Sequence, residues 1–216
     1  MAGKFIVLEG LDGANLSYHS RHLAQKLTGR GLLVFQTREP SDGPIGRDIR
    51  LALNGRLELD KITLAVLFAA DRMDHLYREK TGILARLEKG EWVISDRYYL
   101  SHYAYQTAEG GFDFDWLVAL NQFARDPDLI LFVDYPIRFC MREFASAHHY
   151  SVLDEAGAAN LEKRLSNIHK KFQEAIKWLR THKPHVQIEV VYAEDRRKMQ
   201  SKLNRRLRQF LSEQSG

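Results

Sequence analysis

A chain of 216 residues, 44% hydrophobic and 28% charged, has the size and composition of one globular domain with a full core. Its 32 basic against 28 acidic residues leave a formal net charge of +4, spread as mixed signs that describe a solvated surface better than a nucleic-acid tract. The single cysteine, Cys140, excludes a disulfide framework or a multi-cysteine zinc site within one chain, and no run approaches the roughly 18 to 20 apolar residues of a membrane span.

The opening MAGKFIVLEGLDG is too short in its apolar part for an export signal, so neither secretion nor membrane insertion is expected and a reducing cytoplasm is the natural compartment. Within it, Lys4 to Glu9 (KFIVLE) is rich in β-branched and aromatic residues, is closed by Gly10, and predicts a buried strand. Leu32 to Thr37 (LLVFQT), Trp92 to Asp96 (WVISD), Leu129 to Asp134 (LILFVD) and Gln187 to Tyr192 (QIEVVY) predict four more. Helical patterns lie between them, and the clearest sets Leu165, Ile168, Phe172, Ile176 and Leu179 at steps of three and four with lysines and arginines elsewhere. Strands alternating with helices along residues 1–216 imply a single α/β domain, a doubly wound five-stranded parallel sheet with helices on both faces. Ligands of such sheets sit at the carboxyl ends of the strands.

No repeat or linker divides the chain. From Glu143 to Glu162 there is no Lys or Arg, and the small residues Ala145, Ser146, Ala147, Gly157, Ala158 and Ala159 suggest a loop or cover, a lid-like segment at about 143–160. From Asp195 to Leu211, Met199, Leu203, Leu207 and Phe210 form an apolar stripe among seven basic residues. This predicts a terminal helix docked on the sheet, its basic face in water.

The first strand ends in Gly10-Leu11-Asp12-Gly13-Ala14-Asn15-Leu16-Ser17, laid over the phosphate-loop pattern G-x-x-x-x-G-K-[ST] between a strand and a helix. Gly10 and Ser17 match, while Asn15 and Leu16 replace the glycine and lysine. Backbone N–H groups of such a loop cradle phosphates, and its lysine neutralises them. Alone, the segment reads better as a tight strand-to-helix turn built on Gly10 and Gly13 than as a phosphate loop. Further chemistry stands after the second strand, Thr37-Arg38-Glu39-Pro40 followed by Arg50, and after the third, Asp96-Arg97-Tyr98-Tyr99-Leu100-Ser101 followed by Tyr105 and Gln106. Phe68 and Arg72 lie in an apolar helical block, LFAADR. Each has a plain structural reading: local ion pairs for the arginines and acids, core packing for Phe68, a solvated helix charge for Arg72.

Together, the blocks EGLDGA, TREP, LFAADR and DRYYLSHYAYQ, in this order from Phe5 to about Tyr192, resemble the thymidylate kinase family, a branch of the phosphate-loop nucleoside monophosphate kinases. The resemblance implies a five-stranded parallel sheet, a homodimer, an Mg²⁺-ATP donor and dTMP as acceptor. It implies that Phe68 stacks on thymine, that Arg72 holds the base edge, and that Ser101 and Gln106 help to read the base. Arg38, Arg50 and Arg97 would surround the dTMP phosphate and Tyr105 would lie near the sugar. Asp12 would approach the sugar or the metal, and Glu39 and Asp96 would order the arginines and metal-bound water. Ser17 and Asp96 are the implied metal residues.

The acceptor half of that pattern is complete, and the donor half is not. Leu16 can neither bond nor neutralise phosphate oxygens, and the segment around His148 and His149 carries no arginine. Phosphoryl transfer gains its rate from positioning and charge stabilisation. The expected protein therefore binds dTMP or a related pyrimidine nucleotide and has weak or no ATP-dependent activity. Two alternatives stay open: an active dTMP kinase using Arg138, Arg142, His148 or His149 as substitute cations, and a nucleic-acid-binding protein on a kinase scaffold that uses the basic C-terminal run.

Overall fold

The computed structural model describes residues 3–147 and 155–213, so His148 and His149 lie outside the described residues. Its strands are β1 (Phe5–Gly10), β2 (Val34–Arg38), β3 (Trp92–Asp96), β4 (Leu129–Asp134) and β5 (Gln187–Tyr192). They form one sheet, ordered β2-β3-β1-β4-β5, with every pairing parallel. Three of the five expected ranges are met to the residue. β2 starts two residues late: Leu32 N–H still bonds the Leu27 carbonyl at 3.3 Å, closing the preceding helix, and the strand begins only where Trp92 partners Val34.

The helices follow in chain order: α1 (Leu16–Thr28), α2 (Pro44–Leu53), α3 (Lys61–Tyr77), α4 (Ile83–Glu88), α5 (Tyr99–Tyr105), α6 (Phe114–Leu120), α7 (Ile137–Ala147), α8 (Glu155–His182) and α9 (Arg196–Glu213). A π-helical turn, Gln106–Gly110, extends α5. β1 runs down the middle of the sheet and is buried along its whole length, as central parallel strands covered on both faces are. Chain direction diverges at β1, toward β3 on one side and β4 on the other. The crevice above Gly10 is therefore the natural ligand position.

The amphipathic pattern of α8 is realised, with Leu165, Ile168, Phe172, Ile176 and Leu179 all buried. So is that of α9, whose Met199, Leu203, Leu207 and Phe210 are buried while Arg197, Arg205 and Arg208 are exposed. The stretch expected as a loop is helical at both ends, as α7 runs to Ala147 and α8 begins at Glu155. Alanine, the strongest helix former, favours helix at these ends despite the absence of Lys and Arg. Among the described residues no helix is long and apolar enough to cross a membrane.

Phe172 anchors α8 on the sheet, its ring 5.0 Å from that of Phe132 and edge-on to that of Tyr105 at 5.9 Å. Phe172→Ala is expected to cost about 3 to 5 kcal/mol, the range for a buried aromatic that leaves a cavity. Urea denaturation followed by circular dichroism measures it.

Candidate active site

The carboxyl edge of the sheet is organised around Arg97. Its backbone is left-handed, φ 69°, and its N–H bonds the Leu8 carbonyl at 2.9 Å. That turn aims the side chain back across β1. The guanidinium donates to the Gly10 carbonyl at 3.0 Å, the Ser101 hydroxyl at 2.9 Å and Asp12 Oδ1 at 2.9 Å, and lies 5.2 Å from the centre of the Tyr105 ring. Burial works against its charge, but Tyr105, Asp12, Asp96 and Glu9 together hold its pKa above the ordinary arginine value.

Glu9, the first residue of the EGLDGA block, to which the sequence assigned no role, lies fully buried within β1 and accepts from the N–H groups of Tyr98 at 2.9 Å and Ser101 at 3.1 Å and from the Ser101 hydroxyl. Burial pushes its carboxyl up to about 7, against the opposing pull of the Ser101 hydrogen bond and Arg97. An acid inside an otherwise apolar strand was the available signal. Ser101, expected to read a base, is engaged by Glu9 and Arg97 and so positions the arginine.

Phe68 and Arg72 stand one turn apart on α3, as their spacing requires. Phe68 is half-buried, its ring 5.7 Å from that of His102. Arg72 is 1% exposed and donates to Glu39 Oε2 at 2.6 Å and to Asn121 Oδ1, with His102 Nδ1 3.3 Å away. It is thus the centre of an internal network rather than a solvated helix charge. Burial, then Arg72, lowers the His102 pKa to about 3, so this imidazole is neutral. Glu39 also faces His75 at 3.6 Å, and His75 in turn shares a 2.8 Å hydrogen bond with Thr37.

Arg38 and Arg50 flank the β2–α2 loop and both face Asp42, at 2.8 and 3.9 Å. The Arg38 hydrogen bond is the main reason that the Asp42 carboxyl sits below its usual value. Arg50 also donates to the Pro40 carbonyl at 3.1 Å and to that of Ser41. Asp96 is paired in register with Arg38 and accepts from the Ser17 hydroxyl. Burial raises its pKa, although Arg97, Ser17 and Arg38 pull the other way. Tyr105 accepts the Asp12 N–H at 3.0 Å, and Gln106 opens the π-helical turn beside it.

The phosphate loop keeps a turned backbone. Gly13 has φ +83°, and a Cβ there would stand 2.1 Å from the Cys140 carbonyl oxygen of α7, so only glycine fits. Asn15 is left-handed, φ 54°, a conformation asparagine tolerates better than most residues. Leu16 is 5% exposed and packs in the core.

Two arginines that the sequence left among surface charges reach this loop. Arg164 of α8 approaches Asp12 Oδ2 at 3.3 Å and donates to Glu109 Oε1 at 2.5 Å. Arg196, at the start of α9, donates to Glu143 Oε2 and to Asn15 Oδ1 at 3.5 Å. Both were hidden on the polar faces of amphipathic helices. Arg142 is exposed and pairs with Glu143 at 3.4 Å, and with Arg138 it lines a cavity of about 420 Å³ that also involves Phe139 and Glu194.

The thymidylate kinase family model matches residues 8–209. The chain belongs to the thymidylate kinase family. It is 42% identical to a probable thymidylate kinase of Thermococcus kodakarensis over 159 residues, 70% of this chain and 76% of that one. Against a probable thymidylate kinase of Pyrococcus abyssi it is 36% identical over 185 residues, 83% and 87% of the two chains. A solved thymidylate kinase structure from Candida albicans superposes with a TM-score of 0.74 at 21% identity, covering 99% of this chain and 93% of that one. The doubly wound five-stranded fold is thus that of a thymidylate kinase.

Mg²⁺, implied by the family, is a hard cation that takes oxygen ligands, commonly one or two carboxylates completed by water and substrate phosphates. The Ser17 hydroxyl and Asp96 carboxylate, in contact at the loop, fit that small protein share, and among the described residues no larger cluster of His, Cys, Asp or Glu competes for a metal.

Glu9 gives the thymidylate kinase fold here a pH signature. Its carboxyl holds a proton up to about pH 7 in the folded chain and only to its ordinary value of 4.5 when unfolded. The folded state therefore binds more protons between those values, and stability falls as pH rises through that window. Glu9→Gln removes this dependence, so the variant should gain on the parent as pH rises from 4.5 to 7, measured by urea denaturation across pH.

Proposed function

We propose that this chain binds dTMP, or a related pyrimidine nucleotide, at the carboxyl edge of its sheet, and that its ATP-dependent phosphorylation of dTMP to dTDP is weak or lost. The observation that carries this reading is Leu16: an apolar side chain, folded into the core, at the loop position where a lysine would meet the phosphates. On the acceptor side, the Phe68 face would take the base, while Gln106 and the Arg72 network shape its edge. Tyr105 and Asp12 would border the sugar. Arg97, Arg38 and Arg50 supply guanidinium forks suited to a dianionic phosphate. Glu39 would keep Arg72 fixed. Ser17 and Asp96 would hold Mg²⁺, which when bound neutralises charge on the donor phosphates.

One observation favours the second reading, an active kinase with substitute cations. Arg164 stands at Asp12, in the α8 segment that follows the one without arginines. Its guanidinium would be the charge offered to a transferring phosphoryl. We also assign α3 as the surface of a homodimer, because Ile62 and Val66, one turn apart on it, are 51% and 42% exposed. Light scattering at micromolar concentration should give the mass of two chains.

Calorimetric titration with dTMP and with Mg²⁺-ATP separately tests the main reading. dTMP should bind without ATP, and Arg97→Ala should weaken it by about 1.5 to 3 kcal/mol, the worth of a charge-assisted hydrogen bond. No heat and no thermal shift at millimolar dTMP would reject the acceptor site. In a coupled ADP-release assay the parent should run near background, and Asn15→Gly with Leu16→Lys should raise turnover. Adding Arg164→Ala to that pair should remove a factor of about 10² to 10³. A parent turnover of about 1 to 10 per second would instead establish the active-kinase reading.

A further inference from the structure

Asn15 and Leu16 leave the loop without its own cation, yet a guanidinium stands over it from a different element. Arg196 of α9 donates to Glu143 Oε2 and to Asn15 Oδ1, and lies 5.9 Å from the centre of the Tyr18 ring in the first turn of α1. Glu143 of α7 is drawn in from several sides at once. Its Oε2 also accepts from Asn15 Nδ2 at 3.3 Å, and its Oε1 pairs with Arg142 at 3.4 Å. Two guanidiniums and an amide around one carboxylate are the donors that a phosphoryl group would use. The carboxylate is the inner partner, 16% exposed, while Arg196 is 49% exposed and open to an incoming ligand.

We propose that Arg196 is the phosphate-binding cation of this altered loop and that Glu143 is the built-in anion that a polyphosphate chain must displace to reach it. The cation lost at position 16 is thereby supplied from α9, and an internal carboxylate competes for it. Donor binding is weak because the site already holds a negative charge, which repels a second one. This rests on the reading of the loop as a donor site and adds the residue that would serve it.

The test is calorimetry on the full chain with inorganic tripolyphosphate, and in parallel with Mg²⁺-ATP, across the parent, Glu143→Gln, Arg196→Ala, Arg196→Lys and the Glu143→Gln/Arg196→Ala pair. Glu143→Gln keeps the shape of the side chain and removes its charge, and should raise tripolyphosphate affinity about tenfold. Arg196→Ala should cancel that gain, whereas Arg196→Lys, retaining charge without the fork, should keep part of the parent affinity. Unchanged affinity in Glu143→Gln, a gain that survives Arg196→Ala, or a gain seen with Mg²⁺-ATP alone would each overturn the proposal. Binding of dTMP, followed in the same variants, separates the two readings. Its persistence beside a failed tripolyphosphate response rejects the Arg196 assignment only, and its absence beside a clear response rejects the acceptor site only.

Discussion

The guanidinium of Arg97 is the fastening on which the carboxyl edge of the sheet depends. It ties the end of β1, through the Gly10 carbonyl and Asp12, to the start of α5, through Ser101. A left-handed backbone at a residue with a side chain costs about 1 to 2 kcal/mol. Each hydrogen bond that a charged group makes contributes about 1.5 to 3 kcal/mol, so the three bonds Arg97 makes outweigh the strain. Glu9 works from beneath. By accepting from Tyr98 and Ser101 it fixes the first turn of α5, and with it the serine that holds the arginine. Strand β1 thus carries an ionisable group into the core for the sake of one turn above it.

The two sides of the site differ in how they are secured. Around α3 and the ends of β2 and β3, charges are set by other charges: Arg72 by Glu39, Arg38 and Arg50 by Asp42, Arg97 by Asp12. Losing Glu39 would leave Arg72 buried and uncompensated, which is strongly destabilising, whereas the exposed pair of Arg38 and Asp42 contributes little. The loop after β1 is secured by shape, through the close approach of Gly13 to α7 and the packing of Leu16. A ligand-binding side chain can be exchanged in such a loop without loosening it.

The fold was legible because its signals are local. Leu165, Ile168, Phe172, Ile176 and Leu179 announce their buried face through spacing alone, and the runs at Trp92, Leu129 and Gln187 are bounded by residues that end strands. From Glu143 to Glu162 the absence of Lys and Arg suggested a loop or cover, and the described ends of that stretch, to Ala147 and from Glu155, are helical. In the site, Arg97 and Asp12 stood in legible motifs. Glu9 shares its block with Asp12 but carried no assigned role, and Arg164 and Arg196 stood in no motif, since their importance comes from contacts that only the assembled sheet creates. Arg164 lies 152 positions from Asp12, and Arg196 lies 181 from Asn15. No periodicity links such pairs.

Position 16 holds the turn out of β1 by packing. A leucine buried there gains about 1.5 to 3 kcal/mol of hydrophobic stabilisation that a charged residue would forgo. The same side chain presses against Gly10, where an added Cβ would meet it at 3.2 Å and the Val133 carbonyl at 2.8 Å. The turn out of β1 is therefore held by packing whether or not a phosphate is bound. A lysine reaching over the loop would leave that contact and would need a bound anion to offset the desolvation of nearby groups. The geometry at Leu16 is thus that of a side chain set by packing, and the turned backbone alone is no measure of activity.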